Sequence, residues 1–404
     1  MFLKNIYTRG YRNLAEQSLE LYPGINLLYG KNAAGKTNTL ECAYFFASGR
    51  SFRTRHEAQL IRRGEESASA KITISRTSLP EHMSVTWRSD TQKGLIKRMY
   101  YQGMEVSKAS EFLGIFHAVL FTPDNLALIK GVPEERRRFM DIAMSQLQPR
   151  YVYFLNEYLR ILSQKNSYLK KAAYIQNPDF DYLDVLNEQL AKAAAVLIKQ
   201  RSGFVSRLKS FSSEFYNKLS GSKEELNVKY VSCTKRDFSD SEYTEKKMFD
   251  IYRADRDSEI KNGRTMHGPH KDDMLIYISD VSKDDDGLPH SVFSDDESEE
   301  DISQFAARTF ASQGQQRSAV LALKFAEGEV CRELTGEYPV FLLDDLLGEL
   351  DYQRRTYITS IIRDKQAIIS CCDKSALPDM NKVSSVKVED GIYYPDTESY
   401  VERK

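Results

Sequence analysis

Long hydrophobic runs are missing from this 404-residue sequence, in which 41% of the residues are hydrophobic and 28% are charged. No apolar stretch approaches the roughly 20 residues that a membrane-spanning helix needs. The first residues, MFLKNIYTRGYRNL, are typical of a strand and contain neither the apolar stretch nor the cleavage site of a signal peptide. We therefore expect a cytoplasmic protein without a membrane partner.

Cysteine is also scarce, because the chain has only five. None of them forms a CxxC pair or has a histidine partner nearby, which are the spacings on which zinc sites depend. A disulfide framework is not indicated either. Cys371 and Cys372 end an apolar run, and we expect buried thiols without a redox role.

An overall excess of positive charge is lacking, since the formal net charge is −1. This value averages an uneven distribution. Residues 280–301 contain ten acids and one base and so carry −9, which leaves +8 for the remainder. The acidic tract is too polar to fold alone, and we predict an acidic disordered insert at 280–302 within a basic folded body.

Strand and helix patterns at both ends of the chain predict a mainly parallel sheet that the two ends form together. Between them, apolar residues recur at helical spacing and predict a helical lobe. A strand pair is expected within 1–29, ending in a strand at 24–29. Further strands are expected at 69–76, 83–89, 95–101, 117–121, 226–233, 273–279, 339–344 and 366–371, and helices at 36–48, 315–334 and 352–364. The predicted division is 1–130 and 226–404 for the sheet domain, and 131–225 for the lobe.

The segment from Gly30 to Thr37 fits the pattern G-x-x-x-x-G-K-[ST] completely, after an apolar strand and at the start of a helix. Its glycines let backbone N–H groups and the helix N-terminus surround a phosphate chain. Lys36 is predicted to reach the β- and γ-phosphates, and the Thr37 hydroxyl to ligate Mg²⁺. The predicted ATP contacts are Gly30, Lys31, Asn32, Ala33, Ala34, Gly35, Lys36, Thr37 and Asn38.

An apolar strand that ends in two acids, Asp344 and Asp345, follows roughly 300 residues later. Such a strand occurs in many proteins and indicates little by itself, but together with a phosphate-binding loop it indicates a nucleotide site. Asp344 is predicted to hold Mg²⁺ directly or through water. Asp345 is predicted to orient or deprotonate the attacking water.

A third pattern, ASQGQQRS, stands about 30 residues before the acidic strand and opens a helix. A hydroxyl residue and a glycine at a helix N-terminus can hold a γ-phosphate, and ABC-type ATPases present such a signature to a partner subunit. An ordinary helix cap is the alternative for Ser312. The predicted signature residues are Ser312, Gln313, Gly314, Gln315 and Gln316, and Asp351 lies where a D-loop would follow.

Taken together, these motifs resemble the RecF family of bacterial recombinational-repair proteins. The matching segments are GYRNL at 10–14, GKNAAGKTN at 30–38, SGRSFR at 48–53, LFTPDNL at 120–126, GVPEERRRFMD at 131–141, HGPHKDDM at 267–274 and ASQGQQRS at 311–318. They extend over residues 1–380 in the family's order and spacing.

The resemblance implies an α/β ATPase head of the kind shared with ABC and SMC proteins, with an inserted helical lobe. It also implies an ATP-bridged homodimer that hydrolyses ATP slowly and acts as a switch. RecF-like proteins bind double-stranded DNA near single-strand gaps, and help to load RecA together with RecR and RecO. ATP and Mg²⁺ are the implied cofactors.

Three departures from the family pattern concern the site. The Q-loop glutamine of ABC proteins is not evident at 122–124, where Asp124 could take its place. Ala33 stands where many members have glycine, and a positive φ would be less comfortable for alanine. Cys371 and Cys372 fall at the switch region where many ABC ATPases carry histidine, which argues against fast turnover.

Some charged residues allow two interpretations. His267, His270, Asp272 and Asp273 could be a metal cluster, or a turn that precedes a strand. DNA phosphates could be contacted by Arg136, Arg137 and Arg138 and by a set of five further arginines, or all of these could form a solvated surface. This set, called here the arginine set, comprises Arg50, Arg53, Arg55, Arg62 and Arg63.

Three other functional classes remain as rivals. The ATPase subunit of a transporter would carry an LSGGQ signature and a switch histidine, and a structural clamp of the SMC kind would need long coiled-coil arms. A small-molecule P-loop kinase would need neither a signature nor a D-loop.

Overall fold

The computed structural model describes residues 1–76, 79–90, 92, 94–221, 224–234, 240–283, 289–291, 307, 311–376 and 383–396. The chain divides into two compact units. Unit 1 comprises Met1–Asn125 and Glu327–Lys404, and unit 2 comprises Leu126–Ala326. Unit 1 therefore contains both ends of the chain.

Strands and helices both occur in the described part of the chain, with a run of four strands within 67–106 and a later run of four helices within 127–220. The strands are β1 (Phe2–Arg9), β2 (Gln17–Glu20), β3 (Ile25–Tyr29), β4 (Ser67–Ser75), β5 (Pro80–Asp90), β6 (Gly94–Tyr101), β7 (Met104–Val106), β8 (Ala118–Phe121), β9 (Glu224–Val231), β10 (Asp273–Lys283), β11 (Pro289–Ser291), β12 (Val340–Leu343), β13 (Ala367–Cys371), β14 (Val383–Glu389) and β15 (Ile392–Pro395). The helices are α1 (Lys36–Ser48), α2 (Ala109–Phe112), α3 (Ala127–Lys130), α4 (Pro133–Leu147), α5 (Pro149–Ala172), α6 (Phe180–Ser220), α7 (Ser241–Ala254), α8 (Arg256–Asn262), α9 (Gln313–Thr335) and α10 (Tyr352–Ile362).

One of the two sheets in unit 1 has the strand order β15-β14-β3-β13-β12-β8. Its neighbours are parallel except for β14 and β15, which confirms the predicted mainly parallel sheet. The inner strands are apolar and buried, as strands covered on both faces must be. In the register of β12 and β13, Leu343 lies opposite Ile369, so that Asp344 and Ser370 come next to each other.

The second sheet of unit 1 is antiparallel, with the order β2-β1-β4-β5-β6-β7. Its strands alternate between buried apolar residues, such as Ile72 and Val85, and exposed or half-buried polar residues. Helix α1 contacts this sheet at β4 and the parallel sheet at β8, β12 and β13. The Phe45 ring of α1 lies 4.9 Å from the Trp87 ring of β5. This double contact explains why nearly the whole helix is buried and fixes the loop that precedes it.

Unit 2 is built around α6, a single helix of 41 residues. The Asp179 side chain caps its first turn by accepting a hydrogen bond from the Tyr182 N–H at 2.9 Å, and Gly221 ends it at φ 74°. Helices α5 and α7 and strand β9 contact α6. The predicted apolar stripe, including Leu183, Leu190 and Leu197, lies buried on this helix.

The structure divides the chain differently from the sequence prediction, which assigned residues 226–404 to the sheet domain. Strands β9 and β10 pair with each other from Val231 opposite Asp273 to Glu224 opposite Asp280, and β9 contacts α6. Their apolar side is therefore buried within unit 2. The boundary with unit 1 falls inside α9, between Ala326 and Glu327.

The predicted acidic insert at 280–302 begins too early. Its first residues, 280–283, continue β10, and residues 289–291 form β11, which pairs with β10. Residues 284–288 and 292–302 lie outside the described residues. Among the residues that the structure does describe, no helix has the length and apolar character needed to cross a membrane.

Candidate functional site

The loop between β3 and α1 has a backbone that few side chains tolerate. Gly30 has φ 147° and Gly35 has φ 119°. A Cβ atom added at Gly30 would lie 2.2 Å from the Val388 carbonyl oxygen. Ala33 has φ 64°, so this alanine does adopt the left-handed conformation that glycine favours. Positive φ at Gly30, Ala33 and Gly35 turns the backbone in the way that lets successive N–H groups bind an anion.

Lys36 is enclosed by this loop and is only 4% exposed. Its ammonium group donates hydrogen bonds to the carbonyl oxygens of Gly30 at 2.7 Å and Lys31 at 2.9 Å. A buried cation needs such partners, because an unpaired charge inside a protein is costly. The positive charge is thereby fixed inside the curve of the loop, where an anion can approach it.

Thr37 and Asp344 meet as the sequence predicted, although 307 positions separate them. The Thr37 hydroxyl donates to Asp344 Oδ1 at 2.9 Å, and the Ser370 hydroxyl donates to the same oxygen at 2.7 Å. Burial raises the pKa of Asp344, while these two hydrogen bonds act in the opposite direction. A buried carboxylate beside a hydroxyl offers the hard oxygen ligands that Mg²⁺ prefers.

Asp345 follows in an unusual backbone conformation, with φ 48°. Its N–H donates to the Ser370 hydroxyl at 3.0 Å, so that Ser370 contacts both acids of the motif. Ser370 is fully buried on β13. The sequence patterns did not indicate Ser370, because only the pairing of β12 with β13 brings it to Asp344.

Asparagines support the loop from outside. Asn13 donates from its side chain to the Ala33 carbonyl oxygen at 2.8 Å, and Asn38 donates to Asn13 Oδ1 at 2.7 Å. The Gly391 N–H, at the turn between β14 and β15, donates to the Ala34 carbonyl oxygen at 2.8 Å. Asn13 was part of the GYRNL segment, but its role becomes visible only in the structure.

The switch region also touches the loop. Cys372 is exposed and donates from its thiol to Asn32 Oδ1 at 3.1 Å, whereas Cys371 is buried. The expectation that both thiols are buried is therefore wrong for Cys372, which lies just beyond the end of β13 and escapes its packing.

A buried ion pair and a hydrogen bond link helix α1 to the segment that contains most of the arginine set. Arg12 donates to both carboxylate oxygens of Glu41, at 2.9 and 2.7 Å, and Ser51 donates to the same carboxylate at 2.5 Å. Glu41 is fully buried and lies on α1. Because the Arg12 and Glu41 charges are paired and hydrogen-bonded, they hold Ser51 and the start of the segment that follows it in place.

The arginine set does not behave as one group. Arg50, Arg53, Arg55 and Arg63 are exposed, and Arg53 donates to Asn38 Oδ1 at 2.5 Å. Arg62 is different, because its guanidinium donates to the Arg12 carbonyl oxygen at 3.2 Å and to the Leu14 carbonyl oxygen. These hydrogen bonds hold the backbone at 10–14, so the Arg62 guanidinium is less suited than the four exposed ones to bind a DNA phosphate.

The predicted signature residues lie in unit 2, at the start of α9. Ser312 and Gln315 cap the helix reciprocally: the Ser312 hydroxyl accepts from the Gln315 N–H at 3.2 Å, and Gln315 Oε1 accepts from the Ser312 N–H at 2.6 Å. Gln313 is exposed, Gly314 is half-buried, and Gln316 is buried, donating to the Ala311 carbonyl oxygen at 3.0 Å. Ser312 is thus a helix cap, and its hydroxyl proton is still available to an anion at this terminus.

Asp351, at the predicted D-loop, caps α10. Its side chain accepts a hydrogen bond from the Arg354 N–H at 2.9 Å, and this bond lowers the pKa of the carboxyl group. The anionic cap suits the positive end of the helix dipole.

The four residues of the alternative metal cluster have separate partners. His267 lies 2.6 Å from Asp255, and His270 Nδ1 lies 2.6 Å from the Tyr158 hydroxyl. Asp272 accepts a hydrogen bond from the Tyr230 hydroxyl at 2.5 Å, and Asp273 accepts hydrogen bonds from Nε and Nη2 of Arg136, both at 2.7 Å. These contacts favour the turn before β10.

Fold and site together define the head of a P-loop ATPase of the ABC and SMC kind. The family model described as RecF/RecN/SMC N terminal domain matches residues 2–393. The chain is 35% identical over 376 residues to the DNA replication and repair protein RecF of Lactobacillus johnsonii, covering 92% of this chain and 93% of that protein. It therefore belongs to the RecF family.

Solved structures agree with this assignment. The recombination mediator protein RecF bound to ATP, in the RecFOR pathway, superposes with a TM-score of 0.84 at 30% identity over 98% of both chains. The head of an Smc protein bound to the C-terminal winged-helix domain of ScpA superposes with a TM-score of 0.51 at 14% identity, over 98% of this chain and 97% of that one. The second likeness concerns the fold alone.

Proposed function

We propose that this chain binds ATP with Mg²⁺ at the loop between β3 and α1, hydrolyses it slowly, and closes as an ATP-bridged dimer on DNA. One observation carries the proposal: the Thr37 hydroxyl lies 2.9 Å from Asp344, so the phosphate-binding loop and the acidic strand form one site. The buried ammonium of Lys36 supplies positive charge beside it.

The residues fit ATP and Mg²⁺ in both shape and chemistry. The Val388 carbonyl oxygen leaves no room for a side chain at Gly30. Backbone N–H groups of such a loop, at the N-terminus of α1, would contact phosphate oxygens. Thr37 and Asp344 would hold the ion, which when bound neutralises the charge on the β- and γ-phosphates. Asp345 would hold the attacking water and accept its proton.

A second copy of the chain would complete the site. Each chain has one phosphate-binding loop in unit 1 and one signature in unit 2, and a two-fold dimer lets each signature face the partner's loop. In that arrangement Ser312, Gly314 and the N-terminus of α9 would contact the γ-phosphate, and Asp351 would lie in the D-loop. ATP would then stabilise the dimer.

Duplex DNA near single-strand gaps is the proposed target, with RecR and RecO as partners in the loading of RecA. The exposed members of the arginine set, Arg50, Arg53, Arg55 and Arg63, would contact phosphates without reading sequence. Dimer closure would place two such surfaces on one duplex and so raise the affinity.

A mixing experiment with two inactive variants tests this proposal. Lys36→Ala should lose ATP binding, and Gly314→Glu should retain it but block the signature. Mixed together, they should recover part of the ATPase activity and of the ATP-dependent duplex binding, because each heterodimer keeps one intact composite site. Activity and fluorescence anisotropy of a labelled duplex are the measurements, with ADP as the control nucleotide.

The outcome that would contradict the proposal is equally specific. If confirmed heterodimers recover nothing, sites formed between two chains are refuted. If the wild-type chain binds duplex DNA no better with ATP than with ADP, an ATP-dependent clamp on DNA is refuted.

A further inference from the structure

Strand β6 lies near one edge of the antiparallel sheet of unit 1, and its outer neighbour covers only part of it. Strand β7 pairs with the last residues of β6, from Met99 to Tyr101. On its other side β6 pairs with β5 along its whole length. Among the described residues, no strand pairs with the outer side of residues 94–98. These residues, called here the β6 edge, therefore form an open edge of the sheet.

The backbone of the β6 edge directs hydrogen-bonding groups outward at every second residue. The turn from β6 to β7 consists of Gln102 and Gly103, with φ 50° and 80°. In a two-residue turn of this kind the flanking residues bond to each other, so Tyr101 directs its N–H and C=O groups toward β7. By the same alternation Leu95 and Lys97 direct theirs beyond the end of β7, where no described strand pairs with them.

The polar face of the sheet is basic beside this edge. Arg98 lies opposite Thr86 of β5, and Arg88 of β5 lies opposite Ile96. Both arginines line a groove of about 420 Å³, whose described lining includes three arginines and no acid. A strand added along the β6 edge would have Arg98 directly beside it on this face, and Arg88 one strand further in.

Strand β7 shows which side chain suits a position beside Arg98. Glu105 of β7 lies opposite Tyr100, and its carboxylate is 3.8 Å from Arg98 Nε. Both side chains are more than half exposed, so this pair is solvated and weak. An outer strand thus already places an acid on the polar face, and a strand that continues the line of β7 would meet Arg98 directly.

We propose that the β6 edge binds an extended acidic segment of a partner protein, which joins the sheet as a further strand antiparallel to β6. Backbone hydrogen bonds to Leu95 and Lys97 hold the segment, as in other cases of strand addition. Every second side chain of the segment lies on the polar face, where carboxylates pair with Arg98 and Arg88. This interaction goes beyond the proposed function, because it requires neither ATP nor DNA.

Apolar strands and a second copy of this chain fit the edge less well. Basic side chains on an edge strand hinder pairing with apolar strands, so Lys97 and Arg98 favour an acidic segment. A second copy of β6 has the sequence GLIKRMYY, with two basic residues and no acid. Since like charges across a strand pair are destabilising, it pairs less well than an acidic strand.

Fluorescein-labelled peptides test this interaction with the full-length chain, by anisotropy and without nucleotide. The acidic probe alternates glutamate with threonine over about ten residues, enough to cover the edge. With the glutamates on the polar face, the threonine N–H groups point toward β6 and the glutamate N–H groups point away. N-methylation of every threonine should therefore weaken binding about tenfold or more, whereas N-methylation of every glutamate should change it by less than about threefold.

Variants of the chain test the same contacts from the other side. Lys97→Pro removes an outward N–H group and leaves the hydrogen bonds to β5, a position at which edge strands tolerate proline. Lys97→Ala is the matched control, because it also loses the ion pair with Glu57 but keeps the N–H group. The proline variant should bind the acidic probe about tenfold more weakly than the alanine variant.

Charge is tested by exchange. Arg98→Glu should bind the acidic probe about tenfold more weakly than wild type, and should bind a probe that alternates lysine with threonine more tightly than wild type does. The peptide GLIKRMYY should bind the wild-type chain about tenfold more weakly than the acidic probe.

Three results would overturn the assignment. Equal binding of the two N-methylated probes would show a general polyanion contact, and this comparison uses the unaltered chain, so it holds even where Lys97→Pro does not fold. Equal binding by folded Lys97→Pro and Lys97→Ala would remove the β6 edge as the site. Binding of GLIKRMYY as tight as that of the acidic probe would favour a second copy of the chain. The proposed function fails on a different measurement, the ATP dependence of duplex binding.

Discussion

Replacing Ser370 by alanine tests whether one buried hydroxyl holds both acids of the site. Its hydroxyl donates to Asp344 Oδ1 at 2.7 Å and accepts from the Asp345 N–H at 3.0 Å. The bond to a carboxylate is worth about 1.5–3 kcal/mol, and an N–H left without a partner costs about 1–3 kcal/mol. Because such terms do not add fully, we expect unit 1 to lose about 2–4 kcal/mol.

The assay separates stability from chemistry. A loss of that size should lower the unfolding midpoint of unit 1 by roughly 5–10 °C. The kcat of ATP hydrolysis should fall about 10- to 100-fold, because Asp345 at φ 48° is no longer held and a misplaced base loses its alignment with water. The Kd for ATP should change by less than about threefold, since the loop itself is untouched.

Two further variants control this reasoning. Ser48→Ala removes another buried hydroxyl of unit 1, which donates to two carbonyl oxygens at 3.0 and 2.9 Å, and should cost stability without affecting kcat. Ser370→Thr keeps the hydroxyl and should recover kcat more than it recovers stability. If Ser370→Ala unfolds more easily but hydrolyses ATP at the wild-type rate, Ser370 does not position Asp345.

Two other predictions concern backbone strain and pH. Ala33→Gly should preserve ATP binding and change the free energy of unfolding by no more than about 1 kcal/mol, since glycine adopts φ 64° without strain. Gly30→Ala should destabilise the fold, because the added Cβ would lie 2.2 Å from the Val388 carbonyl oxygen. Thermal unfolding of both variants checks this prediction. Burial lowers the pKa of His270 to about 4, so its contribution to the stability of the fold is lost as pH falls from about 6.5 to 4. Burial also raises the pKa of Asp272 to about 6, so protonation of this carboxylate stabilises the fold as pH falls over nearly the same range. In urea unfolding, the Asp272→Asn variant should therefore lose about 3 kcal/mol of unfolding free energy between pH 6.5 and 4, a loss that the wild type does not show. Equal pH dependence in the two proteins would refute the idea that Asp272 offsets His270.

Local patterns predicted the phosphate-binding loop and its helix well. The helix was predicted at 36–48, and α1 runs from Lys36 to Ser48. Gly35 before it and Gly49 after it have positive φ, and glycine is the residue that such ends require. Signals of this kind lie within a few residues of the structure they determine.

Contacts that depend on strand order could not be predicted in the same way. The sequence indicates that β12 ends in acids, but not which strand lies beside it. Only the parallel register, with Leu343 opposite Ile369, brings Ser370 to Asp344. The pairing of β9 with β10 is a similar case, because the sequence predicts both strands but not that they belong to unit 2 rather than to the sheet domain.

Charge shows most clearly why composition falls short of function. Arg62 looked equivalent to its neighbours in sequence, yet its guanidinium is occupied by two backbone carbonyl oxygens. Arg88 and Arg98 form no pattern in the sequence, because they lie on different strands and are ten positions apart. Antiparallel pairing of β5 with β6 places both on one face, and the short side chains beside them turn that face into a groove. Whether an arginine can bind an external anion is therefore decided by what surrounds its guanidinium, and for a strand residue that is set by the neighbouring strands.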